Sequence, residues 1–141
     1  MTEASTILPI DLLGIPAANT AAELYEALPL ALQVSDESGR LIAVNAAWAA
    51  LLGHDRREAL GRPLTDFMTR EAAAVLRRSG WPAAVIGKSR PDIDLTFIKR
   101  SGEQCNIMLA NRAFRDDATQ ARYNLDILVD VHDRQQDKIA K

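Results

Sequence analysis

Apolar residues recur in this chain at two different spacings, and the order of the spacings leaves few ways to build a core. Leu30, Leu32 and Val34 alternate with Ala31, Gln33 and Ser35, a period of two that describes a strand with two distinct faces. The same period returns at Ile93, Leu95 and Phe97, and again at Tyr123, Leu125, Ile127, Val129 and Val131. Between these stretches, Trp48, Leu51 and Leu52, and then Ala72, Val75 and Leu76, recur at helical spacing. A chain of 141 residues has the size of one domain with one core. Strands, then helices, then strands around such a core predict a single antiparallel sheet with helices on one face, an α+β domain.

Cap and turn residues divide the segments. Thr20 with Glu23 forms a capping box that opens a short amphipathic helix through Leu24, Ala27 and Leu28, ended by Pro29. Asp36-Glu37-Ser38-Gly39 turns the first strand into a second at residues 41–44. Asn45 is an N-cap for the Trp48 helix, Gly53 suits the left-handed conformation at its end, and Asp55 with Glu58 caps the next turn up to Leu60-Gly61. Thr69 starts a further helix, with Arg77 and Arg78 near its negative end. Ser101-Gly102 joins the Ile93 strand to a long one over residues 104–114, and Asp116-Asp117 precedes the last. The division that follows is a leader and the start of a flanking helix over 1–23, a domain over 24–134, and the start of a C-terminal linker over 135–141.

Composition narrows the function. A net charge of −2 with dispersed basic residues argues against nucleic acid as partner, and Arg77-Arg78 and Lys99-Arg100 read as solvated surface. Cys105 is the single cysteine, which allows no internal disulfide and no thiolate metal cage; it is expected to pack as a small core residue. His54 and His132 lack metal-ligand spacing, so no metal is assigned. No apolar run is long enough to span a bilayer and no targeting pattern opens the chain, so the expectation is a cytoplasmic protein without a membrane partner. No nucleophile constellation or phosphate loop appears, and a base such as Asp94 or Asp126 has no motif behind it; no catalytic residue is assigned.

Both sheet faces are partly apolar near the end of the chain. Met108 and Ala110 oppose Ile107 and Leu109 along one strand, and Leu128 opposes Ile127 and Val129 along the other. Something must cover the outer face, which predicts a homodimer with Leu24, Leu28, Met108 and Leu128 at its interface. The N-terminal segment, with Leu12 or Leu13, is expected to contribute to that cover.

The ordered series of these pieces resembles the PAS family over roughly Leu24 to Arg134. Ala27-Leu28-Pro29 leads into a strand ending at Asp36, and Ser38-Gly39-Arg40 turns into Leu41-Ile42-Ala43-Val44-Asn45. Trp48, Leu51-Leu52-Gly53 and Glu58-Ala59-Leu60-Gly61-Arg62-Pro63 follow; Lys99-Arg100-Ser101-Gly102-Glu103 looks like the family's charged hairpin and Asp130-Val131-His132-Asp133-Arg134 like its closing motif. The resemblance implies a five-stranded antiparallel sheet with short helices on one face and an N-terminal flanking helix. It also implies a sensory role, with a small ligand, cofactor or partner state relayed to an effector, in cis or in trans, such as a histidine kinase or a cyclic-dinucleotide enzyme.

A ligand space between sheet and helices would be lined by Leu32, Val34, Leu51, Phe67, Val75, Leu76, Ile86, Leu95, Ile107 and Leu109. The alternative is a filled core in a ligand-free homodimerisation module. Asn106, Asn111, Asn124 and Asp126 sit among apolar neighbours on strands, and most of them are expected to face solvent. Light-sensing relatives carry a thiol in the region matching Pro63-Leu64-Thr65-Asp66-Phe67-Met68, where this chain has none, so a covalent flavin adduct is not expected. Haem-binding relatives use a histidine on the helix spanning about Arg70 to Ser79, which holds none here, so haem by that route is not expected. The cofactor, if any, stays unassigned, and noncovalent flavin needs only a fitting apolar cavity. Asp130 stands where the family's Asp-(small apolar)-Thr motif meets the effector helix, which implies a relay role for it with Arg134 as its partner; His132 replaces the hydroxyl residue.

Overall fold

The computed structural model describes residues 20–79 and 91–131. Helix α1 spans Thr20–Ala27, strands β1 and β2 span Ala31–Ser35 and Leu41–Val44, and α2 spans Ala46–Leu52. Helix α3 covers Arg56–Ala59, a 3-10 turn covers Leu64–Phe67, and α4 covers Arg70–Arg78. Strands β3 (Ile93–Ile98), β4 (Gln104–Arg115) and β5 (Arg122–Asp130) complete the order. The five strands form one sheet in the order β2-β1-β5-β4-β3, with every neighbouring pair antiparallel. This is the expected α+β architecture, and it brings the last strand beside the first at the centre of the sheet.

Local chemistry sets the element ends. The Asp36 carboxylate accepts from the amides of Ser38 and Arg40 and from the Ser38 hydroxyl, which closes the β1–β2 turn. Burial would raise its pKa, but those hydrogen bonds and the Arg40 charge outweigh it and hold the carboxyl below its ordinary value. Gly53 ends α2 at φ 77°, donating to the Ala49 carbonyl, and Gly102 turns the β3–β4 hairpin at φ 93°. That hairpin is pinned to α2, because the Arg100 amide donates to the Leu52 carbonyl and the Arg100 guanidinium pairs with Glu58.

The core lies between the sheet and α2, the 3-10 turn and α4. Trp48, Leu52, Leu64, Leu76, Phe97, Ile107 and Leu109 are buried there, each large apolar side chain contributing about 1.5–3 kcal/mol. Phe67 meets Trp48 edge-on at 5.4 Å and His54 at 4.8 Å between ring centroids, with the Arg62 guanidinium over its face at 5.2 Å. His54 is therefore a packing residue.

The faces of β1 and β5 run opposite to the hydrophobic pattern. Trp48 Nε1 donates to Gln33 Oε1, which fixes Gln33 on the helical side and places Ala31 and Ser35 there with it. Leu32 and Val34 therefore lie on the outer face, opposite Ile127 and Leu125, and do not line the space under the helices where they were expected. On β5 the inward residues are Asn124, Asp126 and Leu128, and the outward ones Tyr123, Leu125, Ile127 and Val129. Leu128 is core, opposite Ala31 and Leu109, which corrects its assignment to an outer interface; Met108 does face outward and is half-buried. Period two shows that two faces differ but not which of them is buried, and inward hydrogen bonding decided the matter.

Helix α1 sits by the β2 edge. Asn45 Nδ2 donates to the Tyr25 carbonyl, the Tyr25 hydroxyl reaches the Leu32 carbonyl at 3.4 Å, and Arg56 pairs with Glu26. Leu24 is exposed on it, and Leu28 just past its end. Residues 12 and 13, expected over the outer face, lie outside the described residues, as do Ile86, Arg134, residues 135–141 and most of the leader.

Candidate functional site

Three neighbouring strands, β1, β5 and β4, present polar side chains to the helical side. Gln33 and Ser35 come from β1, Asn124 and Asp126 from β5, and Asn111 from β4. Register sets Gln33 opposite Asp126, Ser35 opposite Asn124, and Asn111 opposite Asp126. Gln33, Ser35, Asn124 and Asp126 are all buried and Asn111 is half-buried. Burying so many polar groups is costly unless they bond to one another.

Most of them do. From Trp48, the chain of bonds runs through Gln33, whose Nε2 donates to Asp126 Oδ2 at 3.1 Å. Asn111 Nδ2 donates to Asp126 Oδ1 at 2.9 Å and to Asn124 Oδ1 at 3.0 Å. Two atoms in the group have no hydrogen-bond partner, Ser35 Oγ and Asn124 Nδ2. Asn111, Asn124 and Asp126 thus turn inward, against the expectation that most of the strand amides and acids face water, while Asn106 is exposed. The spacing groups these residues, Gln33 and Ser35 in phase with Ala31 and Asn124 and Asp126 with Leu128, but does not tell which face the group takes.

A second polar node holds the scaffold around this group. Asn45 is buried, and its Oδ1 accepts from the Trp48 amide and the Leu32 amide, both at 3.0 Å. Its Nδ2 donates to the carbonyls of Tyr25 and Leu30 at 2.9 and 2.8 Å. The predicted N-cap is real, but one side chain also ties α1, β1 and α2 together.

Of the apolar residues expected around a ligand, Phe67, Leu76, Leu95, Ile107 and Leu109 meet in the core and Leu51 packs at its margin. Val75 is exposed on α4, because the helix turns Ala72, Ala73 and Leu76 inward instead. An open groove of about 890 Å³ lies between α1 and β2, bordered by Tyr25, Ile42 and Leu60, and none of the described residues expected to line a ligand space borders it. Burial pushes the Cys105 thiol up, with the Lys99 charge opposing and Asp130 and Glu103 adding to it, so the thiolate is disfavoured and the residue suits packing. Asp130 closes β5 opposite Ile107 and is half-buried. Among the described residues no group of His, Cys, Asp and Glu could hold a metal, and no helix is long and apolar enough to cross a membrane.

Five antiparallel strands in the order β2-β1-β5-β4-β3, with short helices on one face, define the class of fold. A family model for the PAS fold matches residues 25–136, and the chain belongs to that family. Its structure is similar to the PAS domain of an HTR-like protein from Haloarcula marismortui, at 24% identity and TM-score 0.64, covering 79% of this chain and 97% of that one. A PAS domain from Colwellia psychrerythraea superposes with TM-score 0.69 at 17% identity, covering 79% and 94%. An RNA-binding light-oxygen-voltage receptor gives TM-score 0.70 at 20% identity, over 89% of this chain and 38% of that one. No curated protein matches the chain.

Proposed function

We propose that this PAS domain detects a small ligand on the helical side of its sheet and relays the event to an effector through β5. The observation that carries the reading is the two-faced character of that strand. Asn124, Asp126 and Leu128 reach into the polar group and core, while Leu125, Ile127 and Val129 form the outer surface. A shift of β5 caused from inside must appear outside, since strand side chains alternate on a rigid backbone. The outer face is the natural surface for a second copy, with Met108 beside it, and Asp130 stands at the exit toward the effector. A histidine kinase is a fitting effector: a PAS domain from a two-component sensor histidine kinase shares this fold at 12% identity and TM-score 0.62. Such a protein would act in the cytoplasm.

Native mass spectrometry of the purified chain tests the reading, run beside light scattering of Ile127→Glu. A retained small molecule, with a dimer that the outer-face charge dissociates, is the expected result. A dimer that carries nothing and whose reporter-kinase fusion ignores added cell extract would overturn it. That outcome would favour the second reading, a ligand-free homodimerisation module, for which the buried Trp48, Phe97, Leu76 and Ile107 already speak.

A further inference from the structure

The geometry points to Ser35 and Asn124 as the paired anchor of a binding site for a small neutral molecule bearing a carbonyl or amide group. The two residues are register partners on β1 and β5, both face the helical side, and both are buried. Every other polar side chain of the group has a partner, so these two atoms stand out. Buried polar atoms without partners are rare in native proteins, and a pair of them on adjacent strands marks a place where something else is bonded.

Their chemistry selects the ligand. Asn124 Oδ1 is already an acceptor for Asn111, so what remains at Asn124 is an N–H donor, which requires an acceptor oxygen. The Ser35 hydroxyl can donate to the same oxygen or accept from an N–H next to it. An amide or a ketone with a neighbouring donor meets both. Asp126 lies two residues from Asn124 on the same face, its oxygens taken by Gln33 and Asn111, and the group of Gln33, Ser35, Asn111, Asn124 and Asp126 contains no Lys or Arg to pair with an anion buried beside it. A neutral carbonyl is therefore bound in preference to a carboxylate. This site deepens the sensor reading and rests on it for the meaning of the binding event, though not for the binding itself.

The test uses the full chain, labelled with nitrogen-15, titrated with acetamide and separately with acetate while the Asn124 side-chain amide resonances are followed. Acetamide is expected to move them saturably and acetate to leave them in place. Ser35→Ala should weaken acetamide binding about five- to tenfold, the worth of one neutral hydrogen bond. It should also leave Tm unchanged or raised, because it deletes a buried hydroxyl without a partner. Acetate binding as well as acetamide overturns the ligand class. No saturable shift, or a Ser35→Ala variant that loses Tm and keeps its acetamide affinity, overturns the site and reassigns the pair to a structural water. Asn124→Leu should abolish binding; if it does not fold, the Ser35→Ala pair of measurements decides alone. Native mass spectrometry separates the two readings. A molecule carried by the protein and indifferent to Ser35→Ala sinks this site and spares the sensor, whereas acetamide bound here without effect on a fused reporter kinase does the reverse.

Discussion

Replacing Asn45 by alanine should damage this domain far more than loss of a helix cap does. The side chain makes four hydrogen bonds, to the amides of Leu32 and Trp48 and the carbonyls of Tyr25 and Leu30. An ordinary N-cap is worth about 1 kcal/mol. Here the substitution removes three further bonds and strands buried backbone groups on two other elements, each bond worth about 1 kcal/mol net and more when its partner is left unsatisfied. The expected loss is about 4 kcal/mol, a fall in Tm of roughly 12–20 °C for a domain of this size. Urea and thermal unfolding followed by circular dichroism give the number, with Asn45→Ser as the control that can keep the cap but cannot reach the carbonyls. If Asn45→Ala costs only about 1 kcal/mol and Asn45→Ser costs almost nothing, the cross-tying role is wrong and Asn45 is a cap alone.

Three further outcomes are expected. Leu128→Ala should cost about 3 kcal/mol and Met108→Ala about 1 kcal/mol or less by chemical denaturation, since only the first opens a cavity in the core; equal losses would contradict the assignment of the faces. Tyr25 has its pKa pushed up to about 12 from 10.0, first by burial, with the Arg56 charge opposing and Glu26 adding to the rise. The stability it protects is present below pH 10 and lost as pH rises through 12, so the alkaline loss should shrink in Tyr25→Phe, and identical pH profiles would refute the assignment. In a reporter-kinase fusion, Asp130→Ala should uncouple activity from the signal with Tm nearly unchanged, and a response that survives the substitution removes Asp130 as relay.

The fold could be read from the chain because its signals are local. As cap or turn residues Asn45, Gly53, Thr69 and Gly102 each act within a few residues, and their caps and turns are where the spacing put them. The candidate site could not be read in the same way, because its logic is non-local. Gln33 is inward only because Trp48 and Asp126 meet it there, from residues 15 and 93 positions away. Leu32, Val34 and Leu128 were placed on the wrong faces for the same reason: hydrophobicity alone ranks Leu above Gln for burial, and cross-strand hydrogen bonds reversed the ranking.

That reversal gives the protein a competitor built from its own sequence. Sliding β1 by one residue against β5 would turn Leu32 and Val34 under the helices and Gln33 and Ser35 to the outer face, an exchange that the hydrophobic pattern by itself does not forbid. The bonded set of Gln33, Trp48 and Asp126, with the bonds from Asn45 to Leu30 and Leu32, tells the two registers apart. The same amides that organise the inner face thus act as the domain's proofreader during folding. A chain with Gln33→Leu should populate the slipped pairing, visible as altered amide-exchange protection along β1 while the β3–β4 hairpin keeps its own.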